Sequence, residues 1–312
     1  MRREDFINFL QTGKKMVKIS AYLVNTMPVV EQWHLTSLAS QFNYFSQDGI
    51  KLNVLDDKHY LVRQLINLPL CPLLRKFVRI YDFLDSGDDY GLFMDLDTFI
   101  INKKRHINNI RDWCRDGISY IQHKDFPEQE KNGLQALETV EPIPDWDALP
   151  FPWYLKARFF IRKAFVEHLD ITLNQDTVFN TGFALLTREF CELLVTRLEK
   201  CNLSLSSKQG LDNILEVQKI VSKKIGRSTR WIQDEHLIEL AINTANNDQK
   251  KIKSGLEICS HGWDIKDFRE FTYDDPCRFN FSKIFDNDSI FLHTTSCSRD
   301  DDLNGIFKIV GG

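Results

Sequence analysis

Short apolar runs alternate with segments of helical spacing along the first hundred residues. Residues 16–24 and residues 50–55 are strand-like, the second after an Asp-Gly turn. Residues 91–94 are apolar or glycine throughout, which is typical of a strand buried on both faces of a parallel sheet. Helical spacing occupies residues 29–45 and 72–84. This alternation predicts an α/β fold built from strand–helix–strand units.

The rest of the chain continues the alternation less regularly. Residues 125–152 are rich in prolines and acids and have little periodicity, which predicts a long surface excursion. The remaining predicted strands are residues 117–123, 182–186 and 290–293, and the remaining predicted helices are residues 154–169, 189–200, 206–222 and 231–246.

Composition excludes several classes of protein. Hydrophobic residues make up 43% and charged residues 27% of the 312 positions, as in an ordinary globular protein. The net charge of −4 argues against a dedicated nucleic-acid binder. The seven cysteines include no CxxC pair and the N-terminal segment has no secretory h-region, which predicts a cytoplasmic protein with reduced thiols. The sequence has no run of about 18 apolar residues, so no transmembrane segment is predicted.

The sharpest chemical feature is Asp95-Leu96-Asp97, directly after the apolar run. Ligands of open α/β sheets bind at the carboxyl ends of the strands. Carboxylates at positions i and i+2 of an extended segment project to the same side. The pair therefore predicts a hard oxygen site for Mg²⁺ or Mn²⁺, although two solvated acids at a strand end would look the same.

The segment RKFVRIYDFLDSGDDYGLFMDLDTFI, residues 75–100, resembles the central stretch of GT-A-type glycosyltransferases, which use nucleotide sugars. Those enzymes carry an Arg on a helix, a loop with Gly, and an apolar strand that ends in Asp-x-Asp. Arg79 lies sixteen positions before Asp95, slightly farther than in the family. An acid often precedes that Arg by three positions, and this chain has Lys76 instead.

Three later blocks resemble the same superfamily in the same order. They are FNTGFALL at residues 179–186, WIQDEHL at 231–237 and FLHTTS at 291–296. The resemblance implies a GT-A-like, mostly parallel central sheet flanked by helices, with helical and loop insertions. It also implies one domain over residues 1–312, with a nucleotide-binding half up to residue 101 and an acceptor half after it. Insertions are expected near residues 125–170 and 200–230, before a C-terminal metal and lid segment.

The resemblance assigns roles to individual residues. A nucleotide-diphosphate sugar, with a UDP-sugar favoured, would be the donor, and a glycan, a lipid-linked glycan or a protein would be the acceptor. An imidazole ligand favours Mn²⁺ over Mg²⁺. The implied metal ligands are Asp95, Asp97 and His293, with His261 as a rival to His293. The implied donor-binding residues are Val24, Asn25, Thr26, Asp56, Asp57, Arg79, Asn180, Gly182 and Arg299, and the implied catalytic residues are Asp234 and Glu235.

Acceptor binding is predicted only in outline. The excursion over residues 125–152 lies where such enzymes place acceptor-shaping insertions. Residues 154–163 and 223–230 are basic, with aromatic residues interleaved in the first, and would suit an anionic acceptor or a peripheral membrane contact, or simply form solvated faces. The sequence does not decide between inversion and retention of the sugar stereochemistry.

Two other functions remain open from the sequence. MDLDTFI also resembles the nucleophile loop of haloacid-dehalogenase-type phosphatases, although that family has Thr or Val where this chain has Phe99. The other alternative is a binding or scaffold protein on a transferase fold that has lost catalysis. The complete Asp-x-Asp pair and His293 argue against this loss.

Overall fold

Six strands form the main sheet among the residues that the computed structural model describes. The structure describes residues 17–24, 32–47, 49–100, 113–114, 117–123, 153–173, 178–225, 231–244, 252–255, 258–261 and 289–293. The strands of this sheet are β1 (Ile19–Val24), β2 (Lys51–Leu55), β3 (Tyr90–Met94), β5 (Ser119–His123), β6 (Phe179–Thr187) and β7 (Ile252–Ser254). Their order across the sheet is β2-β1-β3-β6-β5-β7.

Strand direction makes the sheet mixed but mostly parallel. β1 is parallel to both β2 and β3, and β5 is parallel to β7. β6 is antiparallel to both of its neighbours, β3 and β5. The predicted α/β class is confirmed. The reversed β6 is the main departure from a uniformly parallel sheet.

A second, smaller sheet lies beside the first. It has the order β4-β9-β8, with β4 (Thr98–Ile100), β8 (Cys259–His261) and β9 (Phe291–His293). β9 is antiparallel to β4 and parallel to β8, so that Thr98 and His261 both lie in register with His293. The residue directly after the Asp-x-Asp pair, Thr98, is therefore already tied to β9, which lies far away in the sequence.

The predicted helices are present with shifted ends. The span predicted over residues 72–84 begins as a 3₁₀ turn (Pro72–Phe77) and continues as an α-helix to Ser86. The helix predicted from residue 231 begins at Asp234, after Gln233 as its N-cap. The α-helices are α1 (Gln32–Gln47), α2 (Tyr60–Ile66), α3 (Val78–Ser86), α4 (Trp153–Leu169), α5 (Arg188–Lys200), α6 (Lys208–Ile225) and α7 (Asp234–Asn243), of which α2 was not predicted.

Both faces of the sheet are buried. Along β3, Phe93 packs into the cluster formed with α2 to α7, whereas Leu92 and Met94 pack into the cluster formed with α1 and the small sheet. This alternation explains why an uninterrupted apolar run was needed here. Among the described residues, no helix combines the length and apolar character needed to cross a membrane.

Candidate metal centre

The reversed direction of β6 brings the second sequence block to the first. Met94 at the carboxyl end of β3 pairs with Phe183 in the middle of β6. The Asp95 N–H then donates to the Gly182 carbonyl at 2.9 Å. The Thr98 hydroxyl donates to the same carbonyl at 3.1 Å. Gly182 therefore fixes both ends of the loop that carries the two aspartates.

Three side chains at this edge form a group that could hold a metal ion. One ligand atom each from Asp95, Asp97 and His293 lies within 4.8 Å of the others. His293 Nε2 is 3.4 Å from Asp97 Oδ1 and 3.8 Å from Asp95 Oδ2. Metal–oxygen and metal–nitrogen bonds of about 2.0–2.2 Å place neighbouring ligand atoms about 3–4 Å apart, so both separations fit one ion.

The neighbours of His293 orient its imidazole for such a role. Gln122 Nε2 donates to the Cys259 carbonyl at 3.0 Å, which turns Gln122 Oε1 toward His293 Nδ1 at 3.4 Å. A carboxamide oxygen only accepts, so the proton belongs on Nδ1. The lone pair of Nε2 is then directed to the aspartates. A hydrogen-bonded partner on the far nitrogen is the usual support of a ligating histidine.

Gly182 also makes room for the ring. A Cβ built on Gly182 would overlap the imidazole of His293. Any larger residue at this position would push His293 away from the aspartates. The glycine is required here by close packing, since its φ is not in the left-handed region.

The histidine also acts on the ionisation of Asp97. Burial would raise the pKa of this carboxyl, but when His293 is protonated on both ring nitrogens, its charge and the hydrogen bond from its Nε2–H outweigh that effect and hold the pKa at about 2. Asp97 is therefore a carboxylate at any ordinary pH. An ionised carboxylate is the form that binds a divalent cation.

Arg79 holds the Asp-x-Asp loop in place. Its guanidinium donates to the carbonyls of Lys76, Met94 and Thr181 at 2.9, 2.7 and 3.2 Å. It also donates to Asp95 Oδ1 at 3.2 Å and Asp234 Oδ2 at 3.5 Å. An arginine has five N–H donors, and all five are used within the protein. Arg79 therefore orders the loop that carries the two aspartates.

Lys76 and Asp234 complete a charged group that we call the open cluster: Lys76, Arg79, Asp95, Asp97, Asp234 and His293. The Lys76 ammonium forms an ion pair with Asp95 Oδ2. Burial raises the pKa of Asp234, against the opposing charges of Lys76 and Arg79. The side chains of Asp95 and Asp97 remain 13% and 29% exposed, so a ligand can reach them from solvent.

A second charged group lies between α4 and α7, and we call it the closed cluster: Arg158, Glu235 and Glu239. Arg158 pairs with Glu239 and, at 2.6 Å, with Glu235. Arg158 and Glu239 are only 4% and 1% exposed. Burial raises the pKa of Glu239 to about 7, although Arg158 opposes the shift. Lys156 and Arg158 are both buried, so the prediction that the basic residues of 154–163 face solvent or an acceptor is wrong for these two.

The remaining residues that the resemblance assigned to donor binding do not belong to the open cluster. Asn180 is buried, and its Oδ1 accepts from the Gly182 N–H at 2.8 Å. Val24 is buried opposite Leu55. Asp56 Oδ1 accepts from the Lys58 N–H at 2.9 Å, in the turn that precedes α2.

Among the described residues, no hydrogen bond or ion pair joins Val24, Asp56 or Asp57 to the open cluster, and their nucleoside role stays a prediction. Asn25, Thr26, Arg299, residues 125–152 and the side chain of His261 lie outside the described residues.

Three site residues were not predicted from the sequence. Lys76 was noted only as a departure from the family pattern, Gln122 sat in a predicted strand, and Arg158 was one of four basic residues on a helix. The sequence signal for Lys76 was its position one helical turn before Arg79. Gln122 and Arg158 carry no local signal, because their partners are far away in the chain.

These observations define an α/β protein with a candidate divalent-metal centre at the carboxyl edge of its sheet. No family model matches the chain. No curated protein matches it in sequence either.

Among solved structures, the chain is similar to a glycosyltransferase involved in the glycosylation of the major capsid of the virus PBCV-1. The identity is 10% and the TM-score 0.41, over 93% of this chain and 99% of that one. It is also similar to mouse xyloside xylosyltransferase 1, with 10% identity and a TM-score of 0.39 over 90% and 98% of the two chains. A third match, A197 from STIV, has 11% identity and a TM-score of 0.27 over 56% and 68%. At these TM-scores the likeness is loose, and the functional proposal rests on the site itself.

Proposed function

We propose that this chain is a metal-dependent glycosyltransferase that moves a sugar from a nucleotide-diphosphate sugar, with a UDP-sugar favoured, to a hydroxyl of a glycan, a lipid-linked glycan or a protein. The observation that carries the proposal is the convergence of Asp95, Asp97 and His293 from β3, its following loop and β9. The order of the four sequence blocks supports the same conclusion.

In the proposed reaction, the bond between sugar C1 and the β-phosphate oxygen breaks, and a bond from C1 to the acceptor oxygen forms. The acceptor hydroxyl loses its proton, and the nucleoside diphosphate leaves. A divalent cation, with Mn²⁺ favoured, supplies Lewis-acid stabilisation of the charge on the leaving diphosphate. Asp97 and His293 would hold that cation, with Asp95 either direct or through water.

Other residues would position the donor and the acceptor. Asn180 is proposed for the sugar hydroxyls because its amide both donates and accepts, and Gly182 because it holds the Asp-x-Asp loop and leaves room for His293. Asp234, which pairs with Arg79, and Glu235, which follows it in the first turn of α7 and pairs with Arg158, are the candidate partners of the transferred sugar. Val24, Asn25, Thr26, Asp56 and Asp57 are proposed for the nucleoside, and Arg299 for the loop over the diphosphate.

The geometry counts against the phosphatase alternative. That chemistry requires a free oxygen of Asp95 to attack phosphorus. Here Oδ1 accepts from Arg79 at 3.2 Å, and Oδ2 is paired with Lys76. Even if Lys76 leaves Asp95, the guanidinium of Arg79 still holds Oδ1 and draws charge away from the carboxylate, which makes it a poorer nucleophile.

The test is a panel of UDP- and GDP-sugars incubated with Mn²⁺ and scored for hydrolysis and binding. One donor should be hydrolysed slowly in the presence of Mn²⁺. Asp97→Asn should lower this rate and the Mn²⁺ affinity by about 100-fold or more, because a metal ligand is removed. Asp212→Asn, at an exposed position of α6, is the matched control and should change neither.

Each alternative predicts a different result. If no sugar nucleotide is bound or hydrolysed, the proposal is wrong. Release of phosphate from a generic phosphoester would indicate the phosphatase. Tight binding of a donor with neither hydrolysis nor transfer would indicate the binding protein.

A further inference from the structure

Lys76 occupies the carboxylate oxygen that a metal ion would need. Its Nζ pairs with Asp95 Oδ2, and this same oxygen is the one 3.8 Å from His293 Nε2. A cation already lies on one of the three candidate ligands. A divalent ion bound by all three residues would have to displace the ammonium from Asp95.

The two basic side chains of the open cluster differ in how firmly they are held. Arg79 is fixed by five hydrogen bonds to the protein. Among the described residues, Lys76 Nζ has a single hydrogen-bond partner, Asp95. A lysine is also a point charge on a flexible stem. Lys76 can therefore leave Asp95, whereas Arg79 cannot leave without breaking the loop.

The charge balance of the cluster favours competition. Of the three carboxyl groups in the cluster, Asp95 pairs with both Lys76 and Arg79, and Asp234 pairs with Arg79. A divalent ion meets a much weaker field than two or three bare carboxylates would provide. Removing Lys76 from Asp95 restores one full negative charge to the ligand set.

We propose that Lys76 competes with the metal ion for Asp95 and makes metal binding depend on a nucleoside diphosphate. This inference rests on the proposed function. Without nucleotide, the ammonium holds Asp95 and the ion binds weakly to Asp97 and His293. When a diphosphate binds, its oxygens accept hydrogen bonds from the Lys76 ammonium, and Asp95 becomes free to bind the ion. The diphosphate and the metal ion therefore bind cooperatively. Lysine is well suited to this exchange because it binds carboxylate and phosphate oxygens alike.

The experiment measures Mn²⁺ binding directly, by the electron paramagnetic resonance signal of free Mn²⁺, with and without UDP. Lys76→Met removes the charge and keeps the length of the side chain. It should bind Mn²⁺ alone at least tenfold more tightly than the unchanged protein, and UDP should improve its affinity far less. Lys76→Arg keeps the charge and should retain weak, UDP-dependent binding.

Two further variants make the result specific. Lys219→Met removes an exposed lysine that pairs with Glu216 on α6, and should leave Mn²⁺ binding unchanged. Lys76→Met combined with Asp97→Asn should lose the tight binding, which identifies the site as the open cluster. Thermal unfolding shows whether each variant is folded, and Lys76→Gln replaces Lys76→Met if the latter is not.

The outcomes separate this inference from the proposed function. If Lys76→Met binds Mn²⁺ no more tightly than the unchanged protein, the inference is overturned and the metal centre stands. If neither protein binds Mn²⁺, even with UDP present, both the metal centre and the inference are overturned. Tight binding by Lys76→Met that Asp97→Asn does not remove also overturns the inference.

Discussion

The open and closed clusters use the same kinds of side chain for different purposes. Each brings carboxylates against basic groups, and the first turn of α7 joins them, because Asp234 contacts Arg79 whereas Glu235 contacts Arg158. They differ in access to solvent: Asp97 is 29% exposed and Glu239 is 1% exposed. Buried ion pairs cost desolvation and are costly to break, whereas a ligand site must be reachable. Similar composition therefore produces a scaffold in one place and a candidate binding centre in the other.

Substitutions in the closed cluster should mainly lower the stability of the folded protein. Arg158→Leu leaves Glu235 and Glu239 without their shared cation and should lower the free energy of unfolding by about 3–5 kcal/mol, measured by urea denaturation at pH 7. Arg63→Leu, at an exposed position of α2, should change it by less than about 0.5 kcal/mol. A loss below about 1 kcal/mol for Arg158→Leu would contradict the structural role of the closed cluster.

The closed cluster should also give stability a pH dependence. The pKa of Glu239 is raised from 4.5 to about 7, so the folded protein binds a proton that the unfolded chain releases in this range. Stability should therefore fall as the pH rises from about 4.5 to about 7, by up to about 3 kcal/mol from this group. Arg158, Glu235 and Arg162 are the charged groups that act on it.

Urea denaturation across this pH range tests the assignment. Glu239→Gln should remove this part of the slope, and Glu192→Gln on α5, which is mostly exposed, should leave it in place. An unchanged slope in Glu239→Gln would mean that Glu239 is ionised throughout.

Substitutions in the open cluster should weaken metal binding, and the expected change in free energy is smaller than for the closed cluster. Gly182→Ala places a methyl group against His293 and should weaken Mn²⁺ affinity by about tenfold, about 1.4 kcal/mol. Gly91→Ala is the matched comparison, since its methyl group would crowd Phe83 and Phe93 in the core, away from the metal centre. That variant should lose stability and keep its affinity. Equal loss of Mn²⁺ affinity in both would mean that affinity only reports general packing.

The sequence predicted the parts of the fold that depend on local pattern. The apolar run of β3, the turn before β2 and the carboxylates at the strand end are all readable from neighbouring residues. The direction of β6 was not readable, because alternation of apolar residues has period two in either direction. That direction is what brings Asn180 and Gly182 to Asp95.

The unpredicted site residues depend on distant contacts. Gln122 matters only because β5 ends beside β9, and Arg158 only because α4 packs on α7. Lys76 looked like a mismatch to the family pattern, and its pairing with Asp95 emerges only when the 3₁₀ turn is folded against the end of β3. Asp56 and Asp57 are the opposite case. Their positions in the sequence suited a site role, but no contact joins them to the metal centre among the described residues.

The way Gly182 joins distant segments has a consequence for the order of folding. Thr98 meets Gly182 across 84 positions of sequence, and Gln122 meets His293 across 171. Contacts of such long range require extensive loop closure and form slowly. Affinity for the ion should therefore appear among the last events as the chain folds. An ion that binds only the finished structure would then trap it there by mass action and slow the release of β9.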